Sequence, residues 1–88
     1  IQIASLGPDH PDTATTEDAL GRLYLKDGKL VEAREHLDKA LAIRKKILSP
    51  QHPDIGFSLK SESKLAMKEG HKKEAIALLH DSLDVFRA

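Results

Sequence analysis

Cysteine is absent from the sequence, so neither a disulfide framework nor a thiolate metal site can form. That composition fits a reducing compartment and is read as an intracellular, cytoplasmic setting. Tryptophan is also missing, and one Tyr and two Phe are too few for the stacking platforms that hold single-stranded nucleic acid. Neither sign of charge is in excess, since 14 Lys+Arg balance 14 Asp+Glu. A global field that would draw the chain to nucleic-acid phosphates or to an anionic membrane is therefore lacking. Apolar runs extend over a few residues only, against the roughly 20 that a helix needs to cross a bilayer. Nucleic acid and membrane are disfavoured as partners.

What the sequence does contain is an internal period. Leu6-Gly7-Pro8-Asp9-His10-Pro11-Asp12 returns as Leu48-Ser49-Pro50-Gln51-His52-Pro53-Asp54, 42 positions later. Carrying that displacement along the chain aligns Leu23 with Leu65, Lys26 with Lys68, Gly28 with Gly70, Glu32 with Glu74, Ala33 with Ala75, Leu37 with Leu79 and Leu41 with Leu83. With Leu6, Pro8, His10, Pro11 and Asp12, this makes twelve identities in one register. A period in the range of about 20 to 50 residues marks stacked repeats, in which each unit buries its apolar face against its neighbours.

The first repeat spans residues 6–47 and the second 48–88, and residues 1–5 align with 43–47, the end of the long helix in the next unit. They read as the end of a preceding repeat helix. Pro11 and Asp12 begin a helix of about 11–26, because proline has no N–H to leave unpaired and an acid suits the positive end of the helix dipole. Gly28 ends it with a left-handed residue. A second helix over about 30–47 places Leu30, Ala33, Leu37, Ala40, Leu41 and Leu48 on one side. The second repeat reads the same way, with helices of about 53–69 and 72–87. The expected fold class is all-α, built from tandem antiparallel helical hairpins.

Within the first repeat stand Leu20-Gly21-x2-Tyr24, then Gly28, then Ala33-x3-Leu37 and Ala40. Small Gly21, Ala33 and Ala40 permit close approach of two helices, and Leu20, Tyr24 and Leu37 fill the surrounding space. This pattern resembles the tetratricopeptide repeat, with Leu37 where that pattern often has Phe and Glu17 where it often has Trp. The 42-residue unit, its Leu-Gly-Pro-Asp-His-Pro-Asp connector and the following Ala-x-Ile-Arg-Lys-Lys-Ile-Leu resemble the kinesin-light-chain type. The resemblance implies a right-handed α-solenoid fragment that serves as a protein-interaction scaffold, with no cofactor.

It further implies that the first helix of each hairpin lines a concave, peptide-binding groove. Carried over by alignment, the lining residues are Thr15, Asp18, Arg22, Leu25 and Lys26 from the first repeat, and Phe57, Lys60, Lys64, Met67 and Lys68 from the second. Five of these are basic, and Lys60, Lys64 and Lys68 fall at i, i+4 and i+8 on one helix face. An acidic peptide segment is the partner such a stripe would favour, with Leu25, Phe57 and Met67 supplying apolar contact; a solvated lysine face is the plainer reading of the same residues. The asparagine that peptide-binding members place on the groove is answered by Ala19 and Ser61.

The second repeat departs from the pattern, with Glu62, Ser63 and Ala66 where the first has Leu20, Gly21 and Tyr24. Its first helix is expected to pack less tightly, with Leu59, Leu65 and Phe57 compensating. A charged Glu62 in a dry seam would be costly, and end repeats carry a polar outer face, so the second repeat reads as terminal. Two alternatives to groove binding follow: a regulatory appendage of a larger enzyme or switch protein, and self-association through exposed end faces.

Chemistry finds little support. Two His-Pro-Asp triplets suggest comparison with J-domain cochaperones, but their recurrence inside matching connectors reads instead as a turn and helix start, with His10 and His52 as local hydrogen-bonding partners. His10, His36, His52, His71 and His80 lack the His-x3-His spacing of a helical metal site. No Gly-x-Ser-x-Gly elbow, phosphate-cradling loop or paired carboxylate is evident. The chain is expected to be no enzyme, with no catalytic residue and no metal.

Overall fold

The computed structural model describes residues 9–87, and within them the chain forms four α-helices and no strand. Helix α1 is Pro11–Lys26, α2 Leu30–Ile47, α3 Pro53–Lys68 and α4 Lys72–Arg87. The reading of residues 1–5 as the end of a preceding helix lies outside the described residues.

Both odd-numbered helices begin by the same device. His10 and His52 sit in extended backbone as N-caps, and each ring Nδ1 accepts the N–H two residues on, from Asp12 at 3.0 Å and from Asp54 at 3.1 Å. That side-chain acceptor satisfies one of the orphan donors of the first turn. Proline follows at the first helical position, where its missing N–H costs nothing.

Both helices also stop alike. Gly28 and Gly70 take φ of 77° and 84°, the left-handed region open to glycine. Lys29 N–H then reaches back to the Tyr24 carbonyl at 2.9 Å, and His71 N–H to that of Ala66 at 2.8 Å. These closures turn the chain sharply into α2 and α4. Helix α2 ends before Ser49-Pro50, since the residue preceding a proline disfavours helical backbone.

Helix α1 packs on α2, α3 on α4, and α2 against α3, while α1 touches α3 along one side. Leu25, Ala33, Leu37 and Leu65 form the core cluster, with Tyr24 and Leu30 packed against it. Close approach of α1 and α2 is made at Gly21, where a Cβ would lie 2.6 Å from Leu37 Cγ. In the second hairpin, two buried hydroxyls bind the helices together. Ser63 Oγ donates to the Ala75 carbonyl at 2.7 Å and Ser82 Oγ to that of Gly56 at 2.8 Å.

Position offsets the looser packing expected of α3. Lying between α2 and α4, α3 buries Ile55, Gly56, Ser58, Leu59, Ser61, Glu62, Ser63, Leu65 and Ala66, more residues than α1 does. Phe57 contributes nothing to that core, being exposed and set edge-on to Phe86 with ring centroids 5.2 Å apart. Nor does an open face relieve Glu62, which is only 6 % exposed.

Candidate functional site

The middle of α1 and the middle of α3 line a half-open cavity of about 360 Å³, bounded by Asp18, Arg22, Arg44, Phe57, Lys60, Ser61 and Lys64. Asp18 and Arg22 are one turn apart on α1, as are Phe57 and Ser61, and Lys60 and Lys64, on α3. Arg44 arrives from α2 and occupies the floor.

The floor is a small network of buried charge. Arg44 is 6 % exposed; its guanidinium donates to Ser58 Oγ at 2.7 Å and to the Asp54 carbonyl at 3.2 Å. It approaches Asp18 Oδ1 to 3.9 Å. Asp18, also 6 % exposed, meets Arg22 Nε through Oδ2 at 3.1 Å. Oδ1 accepts no hydrogen bond from the described residues. Four cations therefore face one carboxylate. Arg22 and Arg44 share Asp18, whereas Lys60 and Lys64 have no ion-pair partner among the described residues.

Of the residues read from the sequence as lining a groove, Asp18, Arg22, Phe57, Lys60 and Lys64 meet at this cavity. Leu25 is instead 6 % exposed in the hydrophobic core, leaving little of it for a ligand. Lys26, Met67 and Lys68 are exposed in the last turns of α1 and α3, away from the cavity lining. Thr15 is exposed and donates back to the Pro11 carbonyl at 3.1 Å. Two lining residues were not among those carried over, Arg44 and Ser61. A signal for Arg44 was present: it falls at i+7 from Leu37 and i+4 from Ala40, so a cation stands on the buried stripe of α2.

Elsewhere, Glu17, in place of the frequent Trp, is buried with Oε2 3.3 Å from His36 Nδ1, and that ring stacks on Tyr24 at 5.4 Å. The turn between α3 and α4 gathers Glu69, His71 and Glu74, whose ligand atoms lie within 4.8 Å of one another. A guanidinium already sits among them, because Arg34 donates to both oxygens of Glu69 and comes within 4.0 Å of Glu74.

The sequence matches the Tetratricopeptide repeat over residues 1–46 and again over 20–88. The chain belongs to the tetratricopeptide repeat family. Tetratricopeptide repeats generally mediate protein–protein interaction and are typically non-catalytic. Among curated proteins none matches this chain. No helix among the described residues is long and apolar enough to cross a membrane.

Proposed function

We propose that this tetratricopeptide repeat is an intracellular scaffold or adaptor module of the kinesin-light-chain-like type, which holds an acidic, extended peptide segment in the cavity between α1 and α3. The observation that carries the reading is the pair Lys60 and Lys64, which face Arg22 and Arg44 across the cavity without acidic partners of their own among the described residues. A carboxylate of the peptide would meet these ammonium groups, and charge-assisted contacts of this kind are stronger than neutral ones. Phe57, half exposed at the rim, offers apolar contact.

Asp18 supplies the complementary element. Its Oδ1 is closed to solvent, and through Oδ2 it holds Arg22 at 3.1 Å, in place at the cavity for the peptide. The reading assigns the chain neither catalysis nor a cofactor, and neither nucleic acid nor membrane as partner.

A fluorescent acidic peptide titrated with the protein tests it. Micromolar affinity is expected, weakened about tenfold by Lys60→Glu with Lys64→Glu and reduced by added salt. A neutral peptide of the same length should bind no better than that variant does. Equal affinity for the wild type and the double variant would sink the reading.

A further inference from the structure

The polar groups that the cavity between α1 and α3 offers a ligand are nearly all donors. Arg22, Arg44, Lys60 and Lys64 line it together with one carboxylate, Asp18, so three positive charges are left over. Asp18 has little for a ligand, because Oδ2 holds Arg22 at 3.1 Å and Oδ1 is closed to solvent. Arg44 keeps part of its fork in reserve. Its approaches to Ser58 Oγ, the Asp54 carbonyl and Asp18 all run through Nη1, so Nε and Nη2 have no acceptor among the described residues. Ser61 adds a neutral donor. It is 7 % exposed and lines the cavity, and its hydroxyl donates to no described residue. A buried hydroxyl without a partner costs free energy, and this one stands among cations.

A carboxylate answers these donors only in part, since it brings one negative charge and two oxygens. A phosphate monoester carries about −1.5 to −2 near pH 7 and presents three strong acceptor oxygens. Guanidinium forks suit such oxygens and lysines supply point charges. The Ser61 hydroxyl then serves the oxygen that the cations do not take. A peptide is the fitting bearer of the phosphate, because Phe57 stands half exposed at the rim for an apolar neighbour. The chain has no net charge, so a polyanion with phosphates along its length gains nothing beyond this one cavity.

We infer that the cavity selects a phosphorylated serine or threonine within the peptide it binds, the four cations taking the charge and the Ser61 hydroxyl donating to a phosphoryl oxygen. This rests on the reading of the cavity as a peptide site and narrows it: glutamate and aspartate bind there, and phosphoserine binds more tightly. Recognition is then set by a kinase and a phosphatase acting on the partner.

Fluorescence anisotropy with labelled peptides of one sequence, Glu and Ala around a central glutamate or phosphoserine, is the test. At about pH 7.5 the phosphoserine peptide is expected to bind about tenfold more tightly, and the preference should shrink toward about pH 5.5 as the phosphate takes up its second proton near pH 6. Lys60→Gln with Lys64→Gln, both at exposed positions, should reduce the preference to about twofold or less. Ser61→Ala changes no charge and should cut it about threefold, which general attraction to a basic surface does not predict. Inorganic phosphate should compete about a hundredfold less well than the phosphopeptide, for want of flanking contacts. Equal affinity for the two peptides overturns this inference alone, and failure of both to bind overturns the peptide reading beneath it as well. A preference that Ser61→Ala and the lysine pair leave unchanged also overturns it, as does inorganic phosphate that competes as well as the phosphopeptide.

Discussion

Arg34 on α2 grips the carboxylate of Glu69, just past the end of α3, through two parallel hydrogen bonds, Nε to Oε2 at 3.1 Å and a terminal nitrogen to Oε1 at 2.5 Å. The pair joins one repeat to the next, and it does so at the turn that aims α4. Bidentate geometry requires a guanidinium. Arg34→Lys is therefore expected to lose most of what Arg34→Ala loses, about 1–2 kcal/mol after allowing for the third of Arg34 that remains exposed. The Arg34 bond holds Glu69 below the usual carboxylate range, ahead of the opposing effect of burial. The contribution is thus present above that range and is lost as pH falls through it. Urea unfolding at pH 7 and at pH 3 measures this: the gap between wild type and Arg34→Ala should close at the lower pH.

Glu62 has the opposite sign. Burial, reinforced by hydrogen bonding to and repulsion from Asp38, pushes its carboxyl up from 4.5 to about 7, with Arg34 opposing and Glu74 adding to the rise. A carboxyl that ionises less readily when folded costs nothing at low pH, where both states are protonated. Its penalty grows between about pH 4.5 and 7 and is constant above. Glu62→Leu, restoring the residue that Leu20 provides in the first repeat, should stabilise the chain by about 1–3 kcal/mol at pH 8 and by much less at pH 4. Denaturant midpoints of the two proteins across that interval decide it. A constant difference would mean that Glu62 is not strained by ionisation.

Two glycines should fail for different reasons. At Gly21 an added methyl would meet Leu37 Cγ and Cδ2 at 2.6 Å and the Leu37 backbone nitrogen at 3.0 Å, so the hairpin itself must open. Gly21→Ala is expected to cost about 1–3 kcal/mol even though alanine favours helix. At Gly28 nothing lies within 4 Å, but φ is 77°, and Gly28→Ala should cost about 1 kcal/mol through backbone strain alone. Truncating Leu37 in each background separates them: it should relieve the first variant and leave the second unaffected.

Helix ends are legible in this sequence because single residues make them. A histidine acceptor with a following proline starts α1 and α3, and a glycine with positive φ ends each, so local chemistry decides without reference to the rest of the fold. Side-chain destinations are less legible. Alignment with the lining positions of the family puts Leu25 in the groove, but a helix face is broad, and at its edge an apolar side chain turns under toward Ala33 and Leu37. Glu62 was expected to lie beside an open face, and α2 covers it, because a seam is set by the neighbouring helix and not by the residue it receives. Arg44 shows the converse. Its place on a buried stripe was visible, yet its role depends on Asp18 from another helix, which no local pattern reports.

Arg44 gives the most demanding prediction, because it is the one side chain of the cavity floor that touches α3 while facing α1. Its guanidinium holds Ser58 Oγ and the Asp54 carbonyl and stands 3.9 Å from Asp18 Oδ1, an oxygen with no hydrogen bond among the described residues. Removing the cation leaves a buried carboxylate with Arg22 alone, and such losses cost about 3–5 kcal/mol where the pair is dry. Because Arg22 still compensates from the rim, Arg44→Met is expected to fall at about 2–4 kcal/mol. If the cost is mainly the stranded charge, adding Asp18→Asn should recover about half of it, giving a coupling of about 1–2 kcal/mol in the double-mutant cycle. Coupling under about 0.5 kcal/mol would mean that the 3.9 Å approach carries no energy. The loss would then belong to the bonds with Ser58 and Asp54, and Ser58→Ala should reproduce part of it while Asp18→Asn does not.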